Sequence, residues 1–244
     1  MKHTMTLFKR ELSGYFQTPV AYVFIVIFLL LSGFFTFQVG RLFEAGQASL
    51  DSFFTWHPWL YLFLIPAISM RLWAEERRSG TIELLMTLPI TMSQAILGKF
   101  LAAWAFTGIA LLGTFPIWIT VYNLGSPDNG AILASYLGSF LMAGSFLAIG
   151  SAVSGITKNQ VIAFVISVVL CLVFLLIGLP PVTGWMQGIL PAFLVDTIAS
   201  FSFFTHFDTI QRGLLQATDL VFFGSTIVFF LFLNGLILEA RKAQ

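Results

Sequence analysis

The residue types of a nucleophile, a base and an acid occur together in segment 202–208, which contains Ser202, His206 and Asp208. In a hydrolytic triad the histidine takes a proton from the serine hydroxyl and the aspartate orients the histidine. Residues this close in sequence rarely reach those three positions, so we expect a polar cluster that ties a folded segment together. The other histidines, His3 and His57, lie in separate segments and offer no metal-ligand spacing.

Nucleotide-binding residues are also missing from the sequence. A phosphate-binding loop needs two glycines, a lysine and a following hydroxyl. The run Gly98-Lys99-Phe100 lacks the upstream glycine and the hydroxyl. We therefore expect that the chain is not an enzyme by itself and carries no metal or cofactor.

The densest group of charges is segment 71–83, in which six of 13 residues are charged although only 9% of the whole chain is. It contains Glu75, Glu76 and Arg78. Gly80 permits a turn, Thr81 can cap a following helix, and an acidic residue suits the first turn of that helix. The pattern predicts a polar turn that leads into a short amphipathic helix ending at Pro89. Such a segment can dock a soluble partner.

One face of that short helix is apolar, because Ile82, Leu85 and Met86 follow i, i+3 and i+4 spacing. This stripe could enter a groove on another protein. The alternative is that it rests on the bilayer or on neighbouring helices.

The elements that position these residues must be membrane helices. The chain is 58% hydrophobic and 16% aromatic, with a mean hydropathy of +0.92, which exceeds what one soluble core of 244 residues could hide. Uncharged runs are long enough for helices of about 20 residues, the length that crosses a bilayer. We predict an all-α polytopic protein with one permease domain over 1–244. Its transmembrane helices are 20–40, 53–73, 99–123, 131–156, 159–178 and 219–238.

The distribution of basic residues predicts the orientation of these six spans. Ten of the 12 lysines and arginines fall on the side that holds both termini, and only Arg41 and Arg212 fall on the other side. The excess of basic residues marks the cytoplasmic side. Both termini are therefore predicted to be cytoplasmic in a bacterial inner membrane.

Three further segments complete the predicted arrangement. Residues 1–19 form an amphipathic interfacial helix, with a solvated tail as the alternative. Segment 74–98 is a cytoplasmic coupling segment, in which Ser93 can cap the next helix. Segment 179–218 is apolar but interrupted by prolines and glycines, so we expect an external pair of re-entrant helices. Small residues at four-residue steps in the fourth span, Gly144, Ala148 and Ala152, predict close helix packing.

Several short motifs occur in an order that resembles a known family. They are Phe8-Lys-Arg-Glu11, Ile65-Pro-Ala-Ile-Ser-Met-Arg71 with Glu75 and Glu76, Gly80-Thr-Ile-Glu-Leu-Leu85 with Pro89, Gly98-Lys-Phe100, and His206-Phe207 with Gly213 and Asp219. Together they resemble the membrane subunits of type-2 ABC transporters. The similarity is to the gliding-motility and nitrous-oxide-reductase-maturation branch, the GldF-like and NosY-like permeases, and it covers nearly the whole chain.

The resemblance implies a permease that docks two cytoplasmic ATPase subunits, which hold the ATP and magnesium. It also implies a second permease copy or a related membrane subunit. An auxiliary external protein could capture substrate because the chain lacks a large outer domain. We expect contact with membrane lipid and none with nucleic acid.

The resemblance and the local sequence together predict three groups of functional residues. The ATPase-coupling residues are Glu75, Glu76, Arg78, Gly80, Thr81, Glu83, Leu84, Leu85 and Pro89. A second cytoplasmic contact is formed by Thr157, Lys158 and Asn159. The re-entrant residues are His206, Phe207, Asp208, Gly213 and Asp219.

Two other functions compete with transport. An integral-membrane enzyme acting on lipid would need histidine, carboxylate or serine groups that converge at one interface. A purely structural membrane anchor would not explain the dense charges of segment 71–83.

Overall fold

All regular structure in the described residues is helical. The computed structural model describes residues 2–44, 46–82 and 90–240. The helices are α1 (Lys2–Phe16), α2 (Pro19–Phe34) with a π-helical extension (Phe35–Val39), α3 (Asp51–Thr55), α4 (His57–Ser69), α5 (Ala74–Ser79), α6 (Met92–Leu112), α7 (Phe115–Leu124), α8 (Asn129–Ile156), α9 (Gln160–Leu176), α10 (Pro180–Gln187), α11 (Ala192–Ala199), α12 (Phe203–Gln211) and α13 (Ala217–Ala240).

Four helical segments of the described chain are long and apolar enough to cross a membrane: α2 with its extension, α6 together with α7, α8, and α13. The pair α9 and α10, bent by 75°, gives a fifth if it is counted as one span. All-helical structure and several spans are thus confirmed. The six-span arrangement stays a prediction.

The predicted second span, 53–73, is not one continuous helix. It is divided between α3 and α4, with Pro66 inside α4, and residues 70–73 form turns. A proline removes a backbone donor and crowds the preceding turn, which favours such interruptions. Each helical piece is therefore shorter than a bilayer crossing requires.

The centre of the molecule is α8, which packs against α13, α4, α9, α12 and α6. Its small residues allow close approach. A Cβ atom at Gly144 would lie 2.8 Å from ring atoms of Trp104, and Ala148 and Ala152 are buried. The predicted role of this stripe in helix packing is confirmed, since backbone proximity replaces the hydrophobic effect between membrane helices.

Helix α1 packs along α6. A Cβ atom at Gly98 would lie 2.9 Å from Leu7 Cδ2, and the rings of Tyr15 and Phe106 stack with centroids 4.9 Å apart. Lys9, by contrast, is exposed. The predicted amphipathic helix is therefore present, with its apolar face against the protein.

The cap of α6 differs from the sequence expectation. Thr91, not Ser93, forms the cap, because its hydroxyl accepts from the Gln94 backbone N–H at 3.3 Å. The Gln94 side chain accepts in turn from the Thr91 N–H at 3.2 Å. This reciprocal capping box satisfies two donors at the helix start.

Two ends of the helix bundle serve as reference faces. The Lys face is the end of α8 near Gly155, where Lys99 also lies. The Asp face is the opposite end, where Asp51, Asp128 and Asp208 line one cavity of about 420 Å³. Between these faces, α2, α9 and α13 expose large apolar side chains such as Leu30, Val165 and Phe232. Lipid is the solvent that suits such a surface.

Candidate functional site

The residue that precedes α5 is anchored in the core. Trp73 is fully buried, and its indole Nε1 donates to Ser151 Oγ at 3.3 Å. The Trp73 backbone N–H donates to Ser154 Oγ at 3.1 Å. Both serines belong to α8, so the start of α5 is fixed to the central helix.

Lys99 joins α5 to two other helices. Its ammonium lies 2.7 Å from Glu76 Oε1 of α5 and 3.3 Å from Glu11 Oε2 of α1. The side chain is only 5% exposed, and Nζ stands 5.6 Å from the centroid of the Trp73 ring. A lysine this deeply buried requires paired carboxylates, because an unpaired charge in a protein interior is very costly.

Two further hydrogen bonds extend this network. The Arg77 guanidinium donates to the Gly155 carbonyl oxygen at the end of α8. Asn234 Nδ2 of α13 donates to Ser151 Oγ at 2.8 Å. We call Glu11, Trp73, Glu76, Arg77 and Lys99 the Lys99 cluster. Through these contacts α5 is connected to α1, α6 and α8, and through Ser151 to α13.

Two carboxylates of the Lys99 cluster, Glu11 and Glu76, share the one lysine. Glu76 Oε2 is buried and has no hydrogen-bond partner among the described residues. A cavity of about 270 Å³ adjoins the cluster and is also lined by Tyr15 and Arg71. Burial, and next the charge of Glu11, raises the pKa of the Tyr15 hydroxyl, which therefore stays protonated.

Arg71 and Glu75 are four residues apart in the sequence but form no ion pair in the structure. Turns separate the two residues, and both side chains are exposed. The i, i+4 geometry needs an unbroken helix. Glu76, the neighbouring carboxylate, is the one that turns inward.

The turn after α5 is formed as predicted. Gly80 has φ 75°, in the left-handed region where a side chain is strained. Ser79 Oγ donates to the Glu75 carbonyl oxygen at 2.9 Å and lies 2.9 Å from Thr81 Oγ1. Arg78 and Gly80 are exposed.

The remaining predicted coupling residues are Glu83, Leu84, Leu85 and Pro89. They lie outside the described residues, as does Met86. Of the predicted coupling segment 74–98, the structure therefore describes residues 74–82, which include α5 and the Gly80 turn, and residues 90–98, where α6 begins.

The predicted second contact lies at the same face as the Lys99 cluster. Thr157 Oγ1 accepts from the Asn159 N–H at 3.0 Å, and Asn159 Oδ1 accepts from the Val161 N–H at 2.9 Å. These bonds shape the connection between α8 and α9. Lys158 is exposed in this connection. It follows Gly155, whose carbonyl oxygen Arg77 contacts, by three residues.

The re-entrant residues form a polar cluster with an unexpected partner. His206 Nδ1 lies 2.6 Å from Asp219 Oδ1, and Nε2 lies 2.9 Å from the Ser200 carbonyl oxygen. Asp208 instead pairs with Arg212 at 2.8 Å. Ser202 caps α12. The three triad residue types are thus not assembled, and the bond to Asp219 ties α12 to the start of α13.

The other re-entrant residues serve packing. Phe207 is buried. Gly213 has φ 80°, and a Cβ atom there would lie 3.3 Å from Ala131 Cβ. Gly213 therefore provides the turn between α12 and α13 next to α8.

Sequence reasoning missed two buried polar groups. One is Lys99, whose only signal is its position as the single charge between residues 92 and 127. The other joins distant segments: Ser139 Oγ lies 2.8 Å from both His57 Nδ1 and Tyr61 Oη, and all three residues are buried. No local spacing links Ser139 to His57, so this contact needed the tertiary structure.

The fold and these contacts define a polytopic helical membrane protein in which buried Lys99 joins α5 to α1 and α6. Its sequence matches the model described as ABC-2 family transporter protein over residues 59–239. Because this match covers most of the 244 residues, the chain belongs to that family, and the resemblance seen in its motifs is confirmed at family level.

Individual relatives share part of the sequence. The chain is 30% identical over 137 residues to "Probable multidrug ABC transporter permease YbhS" of Escherichia coli strain K12, and equally to the protein of that name from Escherichia coli O157:H7. The match covers 52% of this chain and 36% of each relative. The chain therefore spans well under two thirds of the length of these relatives.

Proposed function

We propose that the chain is the transmembrane subunit of an ATP-driven ABC transporter and receives force from separate ATPase subunits through segment 75–89. It would form part of the translocation pathway, with six spans and both termini in the cytoplasm of a bacterial cell. Within the family we place it in the GldF-like and NosY-like branch.

The observation that carries this proposal is the Lys99 cluster. A soluble ATPase can move membrane helices only if the docking segment is rigidly attached to them. Glu76 and Arg77 of α5 provide that attachment, because they contact α6 and α8 directly. A displacement of the Gly80 turn would therefore act on several helices at once.

Force transfer also requires that the helices have two arrangements and that the contact energies of these arrangements differ. The Lys99 cluster suits this requirement because Lys99 has two carboxylate partners on different helices. A shift of α5 relative to α1 changes the balance between the bonds to Glu76 and to Glu11. In the low-dielectric surroundings such a change is energetically significant.

Charge distribution supports a cytoplasmic Lys face. Basic residues of the described chain at this face include Lys9, Arg71, Arg78 and Lys158, whereas the Asp face has Arg41 and Arg212. Short loops rich in lysine and arginine remain in the cytoplasm. The ATPase subunits, with their ATP and magnesium, would then meet the chain at this face, through the Gly80 turn and the contact formed by Thr157, Lys158 and Asn159.

Further partners belong to the same proposal. The complex would contain a second permease copy or a related membrane subunit, and an auxiliary external protein could supply substrate. Two relatives are named as probable multidrug permeases. That name makes small apolar compounds the first cargo to test here.

The alternative, an enzyme that acts on lipid, lacks a suitable site in the described chain. Both ring nitrogens of His206 are occupied, by Asp219 and by the Ser200 carbonyl oxygen. The His57–Ser139 pair is buried and closed to substrate. No cluster of metal-ligating side chains occurs among the described residues.

Co-purification with a functional assay tests the proposal. The tagged chain, extracted in mild detergent from its native host, should retain a subunit that hydrolyses ATP, and Glu83→Lys should release that subunit. The matched control is Glu239→Lys, an exposed carboxylate near the end of α13 at the same face. Retention of ATPase by both variants, or turnover of lipid by the isolated chain, would refute the proposal.

A further inference from the structure

An apolar groove runs along the outer surface between α1, α6 and α8. Its floor is fixed, because the rings of Trp104 and Phe140 stack with centroids 4.5 Å apart and Trp104 Nε1 donates to the Phe140 carbonyl oxygen at 2.8 Å. A cavity of about 760 Å³ occupies the half nearer the Lys face and is also lined by Phe8 and Leu101. A second cavity of about 420 Å³ continues it and shares Ala105 and Phe140. We call the whole feature the α6–α8 groove.

The length of the groove matches the hydrocarbon layer. Its lining residues extend along α6 from Gln94 to Leu112. At 1.5 Å per residue this is about 27 Å, close to the hydrocarbon thickness of about 30 Å. The walls are almost entirely apolar, so the occupant must be apolar along its length.

The end of the groove at the Lys face is polar and basic. Thr4 and Gln94 line the cavity there, and none of its described lining residues is acidic. Lys9 is exposed and lies one turn after Met5 on the same side of α1. No ion pair joins Lys9 to another described residue. This end therefore complements a negatively charged group attached to an apolar chain.

A second copy of the chain does not suit the groove by shape, because a two-fold contact centred here would place one concave surface against another.

We propose that the α6–α8 groove binds one phospholipid from the leaflet at the Lys face. Its acyl chains lie in the larger cavity against Trp104 and Phe140, and its phosphate lies beside Lys9. The bound lipid fills the space between α1 and α6 and thereby supports the helix that carries Glu11 to the Lys99 cluster.

Native mass spectrometry of the purified protein in detergent tests this site, with phosphatidylglycerol as the added probe. The unmodified chain should bind one lipid tightly. Ala105→Trp, which fills the wall shared by both cavities, should weaken that binding at least tenfold. Val165→Trp, on the exposed surface of α9, should leave it unchanged. Equal binding by all three proteins would overturn the proposal, and so would a change of oligomeric state with Ala105→Trp, which would indicate a second copy in the groove.

The headgroup position has its own test. Lys9→Gln should weaken phosphatidylglycerol binding about tenfold, the effect of losing a hydrogen bond to a charged group. Lys158→Gln, another exposed lysine at the Lys face, should have no such effect. Equal losses in the two variants would show general surface attraction and contradict a site at Lys9.

A fluorescence measurement covers the case in which Ala105→Trp fails to fold. One equivalent of phospholipid with brominated acyl chains, added in detergent, should quench part of the tryptophan emission. That quenched part should disappear in Trp104→Phe. Quenching that is identical in Trp104→Phe would place the lipid elsewhere and overturn the proposal.

Discussion

At the scale of single residues, Lys99 joins three helices at the Lys face. It is the single described cation bonded to both α1 and α5, through Glu11 and Glu76. A buried ion pair adds little net stability compared with apolar packing, but removal of one partner leaves an uncompensated charge. The contribution of Lys99 to stability is therefore best measured by replacing the lysine first and then neutralising its two carboxylate partners.

Lys99→Met should lower the free energy of unfolding by about 3–5 kcal/mol, because Glu76 is left buried without a cation. The measurement is thermal unfolding of the detergent-solubilised protein. Adding Glu76→Gln and Glu11→Gln to Lys99→Met should restore most of the loss, since no buried charge then remains. If the triple variant is no more stable than Lys99→Met, the ion pairs do not explain the effect.

The polar residues of the re-entrant segment make a second prediction at this scale. His206→Gln should reduce stability by about 1.5–3 kcal/mol, because it removes a charge-assisted bond to buried Asp219. Limited proteolysis of segment 188–202 should become faster as α12 separates from α13.

Asp208→Asn is the matched control for His206→Gln. It breaks a surface pair with Arg212, in which the side chains are 42% and 72% exposed, and such pairs contribute about 0–1 kcal/mol. Equal effects of the two variants would show that the bond between His206 and Asp219 does not hold α12 against α13.

At the scale of elements, α5 and the Gly80 turn connect the proposed docking segment to the helix bundle. Nothing lies within 4 Å of a Cβ atom built at Gly80, so only the backbone requires glycine there. The left-handed conformation costs an ordinary residue about 1–2 kcal/mol, whereas asparagine tolerates it.

Gly80→Val should therefore shift or loosen the turn and uncouple ATP hydrolysis from transport, while Gly80→Asn should retain coupling. The measurement is transport per ATP hydrolysed in proteoliposomes that contain the complete complex. A valine variant that transports as efficiently as the asparagine variant would show that the turn geometry is unimportant for coupling.

How far the sequence predicts these elements depends on whether the signal is local. The Gly80 turn and the amphipathic α1 were predictable because turn chemistry and helical periodicity are properties of neighbouring residues. The break between α4 and α5 was not, since the uncharged run through Met70 reads as continuous helix. The partners of Lys99 and His206 were also hidden, because Glu11 and Asp219 lie on separate helices and long-range pairing leaves no spacing pattern.

At the scale of the whole molecule, α8 connects the Lys face to the Asp face. Its 28 residues span about 42 Å at 1.5 Å per residue, longer than the hydrocarbon layer. One end lies beside Arg77, and the other begins at Asp128 in the cavity of the Asp face. A tilt of α8 driven at the Lys face would therefore be transmitted to the Asp face, which is a movement that the proposed transport function requires.

Site-specific cross-linking of the assembled complex tests the coupling role of this face most directly. Cys171 is buried, so a cysteine introduced as Thr81→Cys is the accessible thiol in that variant. Treated with a short bifunctional thiol reagent, Thr81→Cys should form a covalent link to the ATPase subunit, and the yield should change when ATP is added. Ser49→Cys, at the Asp face, should form no such link and should react with a membrane-impermeant thiol reagent from outside the cell. Labelling of Thr81→Cys from outside intact cells, or a link to the ATPase from Ser49→Cys alone, would contradict the account.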